Sequence, residues 1–116
     1  MSHFQRAFRY SIQGFKACYR TEVSFRQEVW LFVILFPASF FVSFSIYDWL
    51  WLVTPMFLVL TIELLNTSIE NTIDKAIKKQ SKKAGMAKDQ GSAAVFVCLT
   101  FLGITWVAII LKNFIL

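Results

Sequence analysis

Three stretches of this chain carry no charge: Val29 to Tyr47, Trp49 to Ile62, and the residues from Gln90 to Leu111. The first and last are about as long as the roughly 20-residue helix needed to cross a hydrocarbon core of about 30 Å. In lipid a backbone must satisfy its own polar groups, which leaves the helix and the closed barrel as spanning structures. Runs this long and continuous, without period-2 alternation, favour helices. The expectation is therefore an all-α integral membrane protein with spans at 29–47, 49–77 and 89–111. Pro37 and Pro55 fall inside the first two spans, where membrane helices tolerate proline, and Pro55 is a candidate kink.

Composition agrees. Of 116 residues, 57% are hydrophobic and only 16% charged, more apolar surface than a soluble domain of this size can hide. The length suits a single domain, 1–116, and no internal repeat is visible. Such a chain is neither polar enough nor simple enough for disorder. The polar, basic start runs too long for a cleaved leader. Cys18 and Cys98 are too few for a disulfide framework or a metal site, and His3 stands alone near the end of the chain.

Before the first span, Phe4, Phe8, Ile12, Phe15 and Tyr19 recur at helical spacing, with Arg6, Arg9, Lys16 and Arg20 mostly on other faces. Residues 4–21 read as an amphipathic helix on an anionic membrane surface. Arg6, Arg9 or Lys16 is also placed to meet a phosphate. Tyr47, Asp48, Trp49 and Trp51 are expected to form a tight interfacial turn. Residues 78–88 read as a basic loop, part of a segment with six lysines from Lys75 to Lys88.

The charge asymmetry orients the chain. Eleven of the twelve Lys and Arg residues precede the first span or lie between the second and third. The positive-inside rule puts the N-terminus and the lysine segment in the cytoplasm. The net charge of +5 is thus topological, and no aromatic residues interleave the lysines as a nucleic-acid groove requires. Six of the seven carboxylates then gather at the same interface, and only Asp48 is left on the other side. Insertion does not require that gathering.

The second span ends in the most telling stretch, E-L-L-N-T-S-I-E-N-T-I-D, Glu63 to Asp74. At about 100° per residue, Glu63, Asn66, Glu70 and Asp74 share a helical stripe roughly 80° wide. The charge-free run before Glu63 is 14 residues, about 21 Å of helix. That places Glu63 below the membrane surface and Glu70 near it. An ionisable residue at such a depth is by default a functional hypothesis.

Clustered carboxylates with an amide suit a hard divalent cation such as Mg²⁺, and nearby Lys and Arg suit phosphate. A buried carboxylate suits general-base work on a hydroxyl that itself lies in the membrane. Together these point to phosphoryl transfer from a nucleotide to a lipid alcohol. No G-x-x-x-x-G-K-[ST] and no kinase-type G-x-G-x-x-G are present. On the residues alone, an ion pathway lined by Glu63 and Glu70, or a membrane scaffold subunit, stays open.

The Glu63–Asp74 motif, the A-K-D-Q-G-S-A-A-V of Ala87 to Val95 and the E-V-S-F-R-Q-E of Glu22 to Glu28 together resemble the small prokaryotic diacylglycerol kinase family over nearly the whole chain. The resemblance implies a homotrimer of three-span subunits, each with a surface helix. It implies ATP- and Mg²⁺-dependent phosphorylation of a lipid hydroxyl. By motif, Glu63 takes the place of the catalytic base, and Glu22 and Glu70 those of the metal-bridging carboxylates. Arg6, Tyr10, Glu22, Glu70, Lys88 and Asp89 are the implied ATP-binding positions, and Arg6, Gln27, Glu28, Glu63, Asn66 and Ser92 the implied substrate positions. The stretch Arg6 to Tyr10 departs from the pattern by being shorter than in the best-known members, so Arg9 competes with Arg6 for the surface-helix role. The family has a diacylglycerol branch and an undecaprenol branch. F-R-Q-E and G-S-A-A-V lean toward diacylglycerol.

Overall fold

The computed structural model describes residues 2–77, 79 and 81–116. Four α-helices follow one another: α1 (His3–Thr21), α2 (Val23–Val42), α3 (Ile46–Ala76) and α4 (Lys82–Ile110), and α4 runs on into a π-helical turn, Leu111–Ile115. Three helices, α2, α3 and α4 with its π-helical extension, are long and apolar enough to cross a membrane. At 1.5 Å per residue the 31 residues of α3 measure about 46 Å, well beyond a hydrocarbon core of about 30 Å.

Helix α3 is the centre of the molecule, with α4 its most extensive neighbour, α2 the next, and α1 resting on both α2 and α3. Leu52, Met56 and Val59 of α3 meet Leu102 and Trp106 of α4 in the buried core, and Phe32, Leu35 and Phe36 of α2 close it. Pro55 lies fully buried within α3. Its ring removes one backbone donor. Close by, the Leu52 carbonyl accepts a hydrogen bond from Trp106 Nε1 at 3.0 Å, tying α3 to α4. Much apolar surface faces outward, including Phe41, Phe57, Phe96 and Val97. Lipid or other protein is the natural cover for such surface.

Three of the four α-helices start on a serine side-chain cap. Ser2 caps α1 through a capping box with Gln5. Ser45 caps α3 and Ser81 caps α4, each accepting from a backbone N–H three residues on. These caps correct two expected boundaries. The chain reverses at Ser43–Ser45, before Tyr47, Asp48, Trp49 and Trp51, all of which are helical. Ser45 Oγ receives Asp48 N–H and Asp48 receives Phe44 N–H, which fixes the reversal earlier than the aromatic cluster suggested. Likewise Lys82, Lys83 and Lys88 belong to the first turns of α4 and not to a loop, because Ser81 starts the helix. Of the expected 78–88 segment, Lys78 and Gln80 lie outside the described residues.

Candidate active site

Glu22 is the corner of the molecule. It is the single residue between α1 and α2, in extended conformation, ending one helix and starting the next. No glycine or proline makes this break. Arg26 holds it instead: its Nη1 donates to the carbonyls of Tyr19 at 2.7 Å and Arg20 at 2.9 Å. These are among the carbonyls a helix leaves unsatisfied at its C-terminus. The Glu22 side chain makes no capping bond, so its carboxylate is free for other partners.

The corner delivers Glu22 to the carboxylates of α2 and α3. Glu28, in the second turn of α2, sits against Glu63 of α3 within side-chain hydrogen-bonding reach, and Glu22 and Glu70 lie close enough to act on Glu63 through their charge. Glu63 is 5% exposed and Asn66 is 7% exposed. One Glu28 oxygen, Oε2, is buried without a partner. Two carboxyl groups at such contact, with an unmatched acceptor, favour a cation or a hydrogen-bond donor beside them.

Asn66 links the stripe together. Its Nδ2 donates to Glu70 Oε1 at 3.3 Å. Its Oδ1 is buried and lacks a conventional partner. That oxygen faces Gly91 of α4, so close that a Cβ at Gly91 would collide with it. About two turns further toward the end of α3, Asp74 forms an ion pair with Lys88 of α4, and Glu70 contributes to the field at the same ammonium. The stripe read from the sequence is thus roofed by α4 at two points.

At the flank of the stripe, one turn beyond Glu63, Cys18 of α1 packs on Thr67, with Sγ donating to Oγ1 at 3.6 Å. Burial pushes the Cys18 thiol up from its usual range, and the Thr67 hydroxyl offsets this in part. A groove of about 880 Å³ runs beside this contact between α1 and α3, lined by Ser11, Gly14, Ser68 and Lys75 among others.

Among the described residues, then, Glu22, Glu28, Glu63, Asn66 and Glu70 come together, with Lys88 at their edge through Asp74. The remaining expected positions are not joined to them by any hydrogen bond or ion pair among the described residues. Gln27, Asp89 and Ser92 are exposed at neighbouring helix positions. Arg6 and Tyr10 lie on the exposed first half of α1. Tyr10 is eight residues before Cys18, about 12 Å along the helix. Two contributors were not singled out in the sequence: Arg26 as the clamp of the corner and the Cys18–Thr67 contact. Gly91 was legible as part of the small-residue run Gly91–Ala94, which lets membrane helices approach closely, but not as the neighbour of Asn66.

The donor set is hard oxygen: carboxylates from two helical regions and an amide. Among the described residues no three His, Cys, Asp or Glu side chains form a ready metal cage. Mg²⁺ rarely uses one; it is commonly held by one or two carboxylates together with substrate phosphates. The free Glu22 carboxylate and the amide-braced Glu70 fit that pattern.

Comparison with known proteins separates a kinase from an ion pathway or scaffold. The family profile for prokaryotic diacylglycerol kinase matches residues 9–110. The chain belongs to that family. It is 36% identical over 106 residues to a diacylglycerol kinase of Haemophilus influenzae, covering 91% of this chain and 90% of that protein. It is 41% identical over 102 residues to one from Pseudomonas aeruginosa, covering 88% and 83%. A Helicobacter pylori diacylglycerol kinase is 33% identical over 106 residues, covering 89% and 83%.

Proposed function

We propose that this lipid kinase transfers the γ-phosphate of ATP to the hydroxyl of diacylglycerol, giving phosphatidic acid at the cytoplasmic face of a bacterial inner membrane, as a homotrimer. The kinase assignment follows from family membership. One observation supports the site reading above others: Glu63 is buried at the membrane end of the polar stripe, against Glu28, with Glu22 and Glu70 nearby.

In this reading Glu63 is the general base. It accepts the proton of the lipid hydroxyl as the hydroxyl oxygen attacks the γ-phosphorus. The bond from that phosphorus to the bridging oxygen of the β-phosphate breaks, and ADP leaves with the electron pair. Glu28, with its unmatched oxygen, and Asn66, Gln27 and Ser92 shape the hydroxyl-binding side. Lys88 and Asp89 face the nucleotide. Arg6 and Tyr10 of α1 reach it only if α1 or a neighbouring subunit brings them there, with Arg9 the alternative. Glu22 and Glu70 would hold Mg²⁺, which when bound with ATP neutralises phosphate charge. The helix α1 lies along the anionic surface, its exposed Phe4 and Phe8 in the lipid.

The test is a purified preparation in detergent micelles, given ATP and Mg²⁺ and offered diacylglycerol and undecaprenol in separate reactions. Radiolabelled phosphate on diacylglycerol is the expected result. Label on undecaprenol alone would move the chain to that branch. Label on neither lipid, with nucleotide bound, would overturn the substrate reading.

A further inference from the structure

We infer that Gly91 is a positioning residue of the phosphoryl-transfer site: its side-chain-free backbone seats the Asn66 amide, and that seating turns Asn66 Nδ2 onto Glu70. The inference rests on the reading of Glu70 as a metal carboxylate.

The geometry is specific. Asn66 has one donor bond, to Glu70 Oε1 at 3.3 Å, and one buried oxygen with no conventional partner. An amide flipped the other way would turn that oxygen onto the carboxylate, acceptor against acceptor. What holds the oxygen in place is α4. A Cβ at Gly91 would overlap Asn66 Oδ1 and come within 3.0 Å of Cγ. The Gly91 hydrogen that stands where a Cβ would be therefore points at that oxygen, a weak C–H···O contact. Asn66 Cβ would be 3.8 Å away, an ordinary contact, so the collision is with the movable amide. Gly85 and Gly103, also in α4, have nothing within 4 Å of an added Cβ. Of the three glycines in α4, only Gly91 is needed for space.

This gives Gly91→Ala an unusual signature. In a helix interior, alanine is favoured over glycine. The amide can rotate out of the way without moving α3. The helix pair should therefore remain as stable as before or become more stable, while Glu70 loses its brace. A residue serving only packing would lose stability and function together.

The experiment measures Mn²⁺ binding by electron paramagnetic resonance, on the purified protein with a non-hydrolysable ATP analogue, beside thermal melting. Gly91→Ala is expected to weaken Mn²⁺ binding by about tenfold or more, as for loss of a hydrogen bond to a charged group, with the melting temperature unchanged or raised. Gly103→Ala is expected to leave Mn²⁺ binding alone. Asn66→Ala should weaken binding as Gly91→Ala does, and the double variant should be no worse than Asn66→Ala. Losses that multiply, or wild-type Mn²⁺ binding by Gly91→Ala, would overturn the inference. If Gly91→Ala does not fold, adding Asn66→Ala removes the collision: restored folding supports the seat, and continued failure refutes it. Glu70→Gln separates the underlying reading. Unchanged Mn²⁺ binding there removes Glu70 from the metal. The ¹⁵N shift of the Asn66 side-chain amide then still reports the seat, and must move in Gly91→Ala if the seat exists.

Discussion

Asn113 Nδ2 donates to Asp48 Oδ2 at 2.9 Å across 65 residues of chain, fastening the π-helical end of α4 to the start of α3. The same amide nitrogen donates to the Val42 carbonyl at 2.8 Å, and Lys112 pairs with the other Asp48 oxygen at 3.0 Å. Asp48 also receives Phe44 N–H, so one carboxylate gathers the α2–α3 reversal and the C-terminal turn. This is the acidic residue the charge asymmetry leaves apart from the others. Its role is to close the end of the bundle opposite the candidate site.

Asn113→Ala should therefore lower stability and spare catalysis. The melting temperature in detergent should fall by roughly 4–8 °C or more, because both Asn113 hydrogen bonds are lost and about 1 kcal/mol corresponds to that shift in a small domain. KM for ATP should stay as in the wild type. A raised KM with unchanged melting would assign this end a part in nucleotide binding.

Glu63→Gln tests the base. The substitution keeps size and hydrogen-bonding capacity but cannot accept the proton. Turnover should drop by about 10²–10⁴-fold, the usual worth of general-base catalysis. Binding of a fluorescent ATP analogue should persist, because Glu22, Glu70 and Lys88 remain. Near-normal turnover would make the buried carboxylate structural and pass the proton to another group, Glu28 first.

Glu70→Gln tests the metal. Turnover should collapse at ordinary Mg²⁺ and recover in part as Mg²⁺ is raised, since a weaker ligand is still an oxygen donor. The measurement is a Mg²⁺ titration of initial rate at fixed ATP. A titration curve superimposable on the wild type would remove Glu70 from the metal.

How much of this was legible in the sequence depends on the range of the interaction. The three spans were readable because a charge-free run has few alternatives in lipid. The stripe from Glu63 to Asp74 was readable because helical spacing is local arithmetic. The reversal was misplaced because aromatic residues mark an interface in general, whereas Ser45 and Asp48 set the turn by hydrogen bonds of their own. The Glu28–Glu63 contact and the seat of Asn66 on Gly91 join different helices, and no spacing within one helix encodes them. The clamp made by Arg26 was not legible because its two acceptors are backbone carbonyls, which every residue has.

Orientation has its own test. The basic residues predict that Lys79 faces the cytoplasm, and the Ser43–Ser45 reversal then faces out. In a Cys18→Ser, Cys98→Ala background, a cysteine at Tyr47, 74% exposed, should react with a membrane-impermeant maleimide added to spheroplasts. A cysteine at Lys79 should react only after lysis. The reverse pattern would invert the protein and remove its carboxylates from cytoplasmic ATP.

The last prediction concerns how many chains build one site. Within a single chain, Glu63 and Glu70 lie on one stripe of α3, and Lys88 is held there by Asp74. Asp89, the next residue of α4, is exposed and makes no hydrogen bond or ion pair among the described residues. The broad apolar surface of α2 and α4 is also left uncovered. An exposed site residue beside uncovered helix faces is what a subunit boundary leaves when one chain is viewed alone. In a cyclic trimer, Asp89 of one subunit would complete the site that holds Glu63 and Glu70 of its neighbour. Mixing two inactive variants, Glu70→Gln and Asp89→Asn, under conditions where subunits exchange should then restore part of the activity. Some interfaces receive both intact halves, and the best case in a random trimer is a minority of wild-type sites. Exchange is verified separately by energy transfer between labelled subunits. Persistent inactivity despite that transfer would mean that each subunit carries a complete site, with Asp89 acting on its own chain.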